Sequence, residues 1–328
     1  MKSLKIWLGI LITALFLYLI LRKANLTQVG NSLKEAQYHY LIPSVLAIII
    51  SFYFRAIRWV YLLEPLKKIS VKSTFPTIMI SFMVNDILPA RAGEFVRAYL
   101  IGKKENISKS ASFATIVIER LFDIATLLLL MITLIAFFSF PPWIKKSGFI
   151  LIIFFFFCLA ILFFINTYFS LYERLFHKLF FFIFFQKREK ILIRIKHFTL
   201  GLAVFKSPKL LILIFLYSLI VWFLISASVY FGLLIFNLNL PFYTSFFVTV
   251  VIAISLMLPS APGFIGTFQF ACVSSLALFQ VNKDTALSFS IILHAIQFLP
   301  IIFIGYFFMI KENLSFSSFR RVDKNDNQ

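Results

Sequence analysis

Charged side chains set into apolar stretches are the residues of this sequence best placed to do chemistry. Asp86, Arg91, Glu94 and Arg97 fall within twelve positions, Glu119, Arg120 and Asp123 follow, and Arg55 and Arg58 precede them. A charge at mid-bilayer costs about 2.5–3.5 kcal/mol on insertion scales, so grouped charges are expected to pair or to serve an ion or a polar ligand. Glu94 and Arg97 are three apart and share a face if helix resumes after Gly93. Glu119 and Asp123, four apart, share another, with Arg120 about 100° around the helix and able to answer the acids of the first group. Paired charges of this kind could receive an anionic or zwitterionic headgroup. Arg55 and Arg58 offer guanidinium groups that suit phosphate oxygens bidentately. The competing expectation for that pair is snorkelling to the interface near Trp59 and Tyr61. For the whole constellation it is salt bridges that only lock helices together.

The elements that must position these residues are membrane helices. The chain of 328 residues is 61% hydrophobic and 14% charged, against about 25% charged in ordinary soluble domains, which excludes a soluble enzyme. Its net charge of +19 does not point to nucleic acid, because Lys and Arg sit in short runs between apolar stretches and not on one solvated face. Cys158 and Cys272 lie within apolar runs without paired spacing, so no disulfide, metal or cofactor is expected. Six stretches reach the length a span needs, 4–21, 41–62, 113–138, 148–169, 210–232 and 285–310. The first lacks an A-x-A-like cleavage site and reads as an uncleaved span.

Two further apolar stretches are broken. Stretch 74–101 is interrupted around Asn85, Asp86, Pro89, Arg91, Gly93 and Glu94, and stretch 242–281 around Pro259, Pro262, Gly263 and Gly266. Each Pro removes a backbone donor, and peptide groups freed at membrane depth are tolerated only within protein or against a watery cavity. If both broken stretches are re-entrant hairpins and the N-terminus is cytoplasmic, 21 of the 32 Lys and Arg residues fall in cytoplasmic segments and 6 outside, as the positive-inside rule requires. The first hairpin then enters from the cytoplasm and the second from outside, an inverted-topology repeat. The expected architecture is an all-α polytopic membrane protein with about six full spans and two broken-helix hairpins. Its halves are about 1–138 and 148–312, with a disordered tail at 313–328.

Sequence supports the repeat: Leu88-Pro89-Ala90-Arg91-Ala92-Gly93 sets against Leu258-Pro259-Ser260-Ala261-Pro262-Gly263, and that register pairs Glu119 with His294. The second half is nearly uncharged, with Gln269, His294 and Gln297 as its polar side chains. His294 reads either as a headgroup or proton acceptor or as a hydrogen-bonded packing residue. Between the halves, 171–207 alternates Phe-rich and basic pieces. It reads either as an amphipathic element on anionic lipid or as a solvated basic loop.

The segments N-D-I-L-P-A-R-A-G-E-F-V-R (85–97), E-R-L-F-D (119–123) and L-P-S-A-P-G-F-I-G-T-F-Q (258–269) together resemble the flippase-like transmembrane family typified by the membrane domain of lysylphosphatidylglycerol synthase. The resemblance covers nearly the whole chain. It implies translocation of a polar-headed lipid, aminoacyl-phosphatidylglycerol or a polyprenyl-linked lipid, between leaflets of a bacterial inner membrane, with both termini cytoplasmic. The chain continues about eighteen residues past its last span, so the resemblance implies a translocator without the transferase. The partners expected are membrane lipids and a separate lipid-modifying enzyme. Two other readings stand beside it: a polyprenyl-pyrophosphate phosphatase-like enzyme, and a membrane subunit for a separate lysyltransferase or glycosyltransferase.

Overall fold

The computed structural model describes residues 2–22, 24–88, 92–138, 142–167, 185–257 and 260–315. Within them the chain forms twelve α-helices, numbered α1 (Lys2–Leu21), α2 (Leu26–Lys34), α3 (Leu41–Leu63), α4 (Val71–Ile87), α5 (Gly93–Glu105), α6 (Lys109–Phe137), α7 (Pro142–Thr167), α8 (Phe185–Gly201), α9 (Pro208–Ile235), α10 (Phe242–Ser255), α11 (Thr267–Ala277) and α12 (Lys283–Lys311). Short 3-10 turns at Tyr38–Tyr40, Leu202–Lys206 and Pro262–Phe264 complete it. Four segments, Tyr38–Leu63, Lys109–Phe137, Pro208–Ile235 and Lys283–Lys311, are long and apolar enough to cross a bilayer. Leu11–Leu21, Gly148–Leu162 and Phe242–Ser255 are shorter apolar helical stretches.

Capping residues, not apolarity, set where two of the long helices begin. Ser108 accepts from Ala111 N–H at the head of α6, and Asn282 accepts from Asp284 N–H at the head of α12. Each satisfies a donor that the first helical turn leaves without a partner. Both helices therefore start before the apolar run does, at 109 and 283 instead of 113 and 285.

The chain groups into two compact units, which do not coincide with the sequence halves 1–138 and 148–312. Unit 1 comprises Met1–Phe54, Ile78–Gly93 and Ile220–Gln328, and unit 2 comprises Arg55–Thr77 and Glu94–Leu219. In unit 1, α12 packs against α11 and α2, and α11 against α1 and α10. Ile20, Val29 and Leu287 form a buried apolar cluster there, and Phe16 stacks on Phe270 at 4.4 Å between centroids. Polar pairs join apolar helices: Ser44 and Ser228 Oγ atoms lie 3.0 Å apart, and Ser226 donates to Thr249 at 3.1 Å. Small hydroxyl side chains allow close helix approach and give hydrogen bonds that lipid cannot replace. The Asp284 carboxylate accepts the Asn25 N–H at 2.9 Å, which ties the start of α12 to the α1–α2 connection.

In unit 2, α6 is the central helix, packed by α7 and α8. The basic stretch over 185–201 is helical, so the solvated-loop reading fails there, while residues 171–184 and the tail 316–328 lie outside the described residues. Leu192 is buried and Gly201 closes onto Ala111 and Ala114 of α6, whereas Ile193, Arg194 and Lys196 face outward. The helix is thus docked on α6 by one face.

Candidate functional site

The first break is a helical hairpin held by its own backbone. α4 ends at Ile87 and α5 begins at Gly93, so helix resumes where the sequence places it. Asn85 Oδ1 accepts the Gly93 N–H at 2.8 Å, and Ser81 Oγ donates to the Gly93 carbonyl at 2.8 Å. A Cβ at Gly93 would sit 1.9 Å from the Ser81 carbonyl oxygen and 2.7 Å from Asn85 Oδ1. Only glycine lets the two arms of the helical hairpin approach so closely. Pro89 and Arg91 lie outside the described residues.

Unit 2 collects most of the predicted charges into one network inside apolar helices. Arg97 of α5 is fully buried and grips Glu119 of α6 bidentately, Nη2 to Oε2 at 2.7 Å and Nη1 to Oε1 at 3.1 Å. Its guanidinium also lies over the Trp59 ring, 3.8 Å from the centroid, a cation–π contact strengthened by exclusion of water. Trp59 is itself fixed, because Nε1–H donates to Thr115 Oγ1 at 3.0 Å. Arg58 of α3, also fully buried, bridges the two acids of α6, 3.2 Å from Glu119 and 2.7 Å from Asp123, and donates to Ser218 Oγ at 2.7 Å. Arg55 lies 3.7 Å from Asp123. The i, i+4 spacing of Glu119 and Asp123 does position both on one face, as expected, and Arg58 spans it.

The accessible edge of the network is Arg120. Its side chain is 31% exposed and meets Glu94 at 3.4 Å, Asp123 at 3.2 Å and Glu119 at 3.4 Å. Glu94 is 21% exposed, whereas the Arg58, Arg97 and Glu119 side chains are 0% exposed. Arg120 therefore answers the acid of the hairpin, as its position on α6 predicts. The expectation that Glu94 and Arg97 act as a pair is corrected: each reaches across to α6, to the adjacent residues Arg120 and Glu119. An oppositely charged partner on a packed helix gives a shorter, drier contact than an i, i+3 neighbour on the same exposed turn. The snorkelling of Arg55 and Arg58 is likewise overturned, because both are buried and ion-paired. Four arginines face three acids here, which leaves a formal excess of one positive charge.

In unit 1 the second break is organised by uncharged groups. Gly263 and Gly266 take φ values of +70° and +81°, conformations in the left-handed half of the map that L side chains disfavour. Gln269 Oε1 accepts the Gly266 N–H at 2.7 Å, His294 Nε2 lies 2.9 Å from the Gly263 carbonyl oxygen, and Gln269 Nε2 lies 3.4 Å from His294 Nδ1. The donors settle the tautomer. With Gln269 Oε1 occupied by an N–H, its amide nitrogen donates to His294 Nδ1, so His294 carries its proton on Nε2 and donates to Gly263. The ring is also enclosed by Phe268 and Phe298, at 4.8 and 4.1 Å between centroids. Both the hydrogen-bonded reading of His294 and its place beside the break hold together. Pro262 opens the turn, while Pro259 lies outside the described residues. Asp86 ends α4 in this same unit, with Oδ2 buried and without a hydrogen-bond partner.

Sequence reading missed Ser218, Thr115 and Thr13. Thr13 Oγ1 accepts the Ala261 N–H at 3.1 Å and so steadies the second break. Ser218 and Thr115 also donate to carbonyls of their own helices, Ile214 and Ser112, so nothing local distinguishes them from hydroxyls that only bond their own helix. Trp59 carried a signal, as an indole N–H inside a span needs an acceptor.

The family description "Lysylphosphatidylglycerol synthase TM region" matches residues 6–305. UPF0104 membrane protein MJ1078 of Methanocaldococcus jannaschii is 28% identical over 238 residues, covering 70% of this chain and 95% of that protein. A second protein of that organism, UPF0104 membrane protein MJ1595, is 29% identical over 133 residues, 39% of each chain. Glycosyltransferase AglD of Haloferax volcanii is 33% identical over 121 residues, which is 36% of this chain and 19% of AglD.

Proposed function

Because this multi-pass membrane chain belongs to the lysylphosphatidylglycerol synthase TM region family, we propose that it moves a polar-headed lipid with an anionic phosphate between membrane leaflets. The observation that carries this reading is the buried network with one accessible edge. Arg58, Arg97 and Glu119 form a dry interior, and Arg120 with Glu94 forms the edge that a headgroup can reach. A phosphate arriving there takes the Arg120 guanidinium from Glu94, and the network's excess positive charge compensates the anion. The interior pairs hold Arg120 in place by fixing Glu119 and Asp123. Charged groups this deep in apolar helices mark substrate paths in membrane proteins.

Helix lengths support re-entrant hairpins. α4 and α5 have 17 and 13 residues and α10 and α11 have 14 and 11, so at 1.5 Å per residue each is shorter than the roughly 30 Å apolar core. Each broken pair is followed by a helix of 29 residues, α6 and α12, the order of elements that an inverted repeat requires. With α1 and α7 as spans beside the four long apolar segments, six crossings result, and the distribution of Lys and Arg then favours cytoplasmic termini. The relatives above are archaeal, which favours a prokaryotic cell membrane in general over a bacterial inner membrane in particular.

The partial likeness to a glycosyltransferase favours a second reading, in which the chain is the membrane partner of a separate lipid-modifying enzyme and handles a polyprenyl-linked lipid. Leaflet exchange across labelled phosphatidylglycerol, aminoacyl-phosphatidylglycerol and polyprenyl phosphate in reconstituted vesicles separates these readings. Release of inorganic phosphate from polyprenyl pyrophosphate by the purified protein, without exchange, would replace both with a phosphatase.

A further inference from the structure

Asp86 is unused by the lipid-binding network and is unusual on its own terms. It lies in the last turn of α4, where the helix dipole is negative, so a carboxylate is disfavoured and a cation favoured. Pro89 has no N–H, so the Asn85 carbonyl four residues earlier has no helical donor. The Asp86 Oδ2 atom is buried without a hydrogen-bond partner. The main-chain oxygen of Asp86 lies 3.6 Å from the point that a Cβ on Gly263 would occupy, so the turn of the second break closes directly on this helix end.

Among the described residues no nearby group supplies the missing positive charge. Asn85 Oδ1, on the same helix, is engaged by the Gly93 N–H. His294, reaching from α12, is turned to the Gly263 carbonyl and to Gln269, with its one proton on Nε2. Arg91 lies outside the described residues. Among the described residues no three His, Cys, Asp or Glu side chains gather as a metal cluster, so a divalent ion has no ligand set. One carboxylate beside a carbonyl without its helical donor at a half-helix C-terminus suits a monovalent cation, the kind of arrangement in which broken-helix membrane proteins hold coupling ions.

We propose that Asp86, together with the Asn85 main-chain oxygen that Pro89 leaves without a helical donor, binds a small monovalent cation, H+ or Na+. This site does not depend on lipid translocation and is tested without it. Thermal unfolding of the full chain in detergent is compared in choline chloride at pH 8, in NaCl at pH 8 and in choline chloride at pH 6, at equal ionic strength. The wild type gains roughly 4 °C in Tm when its cation rises about a hundredfold above half-saturation, in the NaCl arm for Na+ and in the pH 6 arm for H+. Asp86→Asn is flat across all three and no less stable than wild type in choline at pH 8. A wild type flat in both arms, a shift retained by Asp86→Asn, or an Asn variant less stable than wild type in choline at pH 8 would each overturn the proposal, the last by showing a counter-charge already in place. Carbodiimide labelling of Asp86 in the wild type gives a second readout, slowed by Na+ or accelerated at pH 6. Labelling indifferent to both would equally overturn it.

Discussion

Neutralising Glu119 is the most informative single change to the network. Glu119→Gln keeps the shape of the side chain but replaces one carboxylate oxygen with an amide donor that faces the Arg97 guanidinium. Glu119 now receives Arg97 at 2.7 and 3.1 Å, Arg58 at 3.2 Å and Arg120 at 3.4 Å. Its loss raises the formal excess of the network from one positive charge to two. Arg58 and Arg97 are fully buried, so neither can turn to water for compensation. Removing one partner of a buried ion pair costs about 3–5 kcal/mol, which at roughly 1.5 °C per kcal/mol for a chain of this size lowers Tm by roughly 4–8 °C. Glu94→Gln serves as the control, since its partner Arg120 is 31% exposed and retains two other acids. That change costs no more than about 1 kcal/mol. Differential scanning fluorimetry of the three purified proteins reads both effects. Equal losses for Glu119→Gln and Glu94→Gln would refute the division of the network into a dry interior and an accessible edge.

Three further outcomes follow from the same geometry. Gly93→Ala drives a methyl onto the Ser81 carbonyl oxygen at 1.9 Å, so we expect the hairpin to open and folded yield in detergent to fall several-fold, as measured by size-exclusion chromatography. Gln269→Ala removes the acceptor of the Gly266 N–H and the donor to His294, a loss of about 1–3 kcal/mol by the cost of unsatisfied buried groups, visible as a lower Tm. At the α4–α5 periphery, the Ser73 hydroxyl and, less strongly, Lys67 hold the Glu105 carboxyl below its ordinary value. A depressed carboxylate stabilises the fold above its unfolded pKa, and that contribution fades as pH falls through the lowered folded value. Glu105→Gln therefore lowers Tm slightly at pH 7, and the difference from wild type shrinks as the pH falls through the lowered folded value. Lys67 is about half exposed, so the effect is screened and small.

The long helices and both breaks were legible in the sequence because apolar length, Pro and Gly report directly on what a bilayer and a backbone allow. That Arg120 could answer an acid of the first break was legible too, and Glu94 is the acid it meets. The partners of Arg97 and Arg58 were less so. Spacing along one helix shows which charges share a face but not which helix packs against it, and tertiary contacts join α5 and α3 to α6. The ends of α6 and α12 were misplaced for a related reason, because Ser108 and Asn282 cap the helices ahead of their apolar runs. Thr13 and Ser218 left no trace, as a hydroxyl within an apolar helix usually bonds its own backbone.

The central claim is that charges around the first break serve lipid movement as well as packing. Its most direct test is the rate of leaflet exchange of a fluorescent phosphatidylglycerol, well below both Tm values, in vesicles carrying the wild type or an Arg120→Gln variant, which removes the guanidinium a phosphate would take. The account predicts exchange well above that of protein-free vesicles for the wild type and a loss of at least about tenfold for the variant, the scale of one charge-assisted contact. Equal rates for the two proteins, both folded, would contradict it.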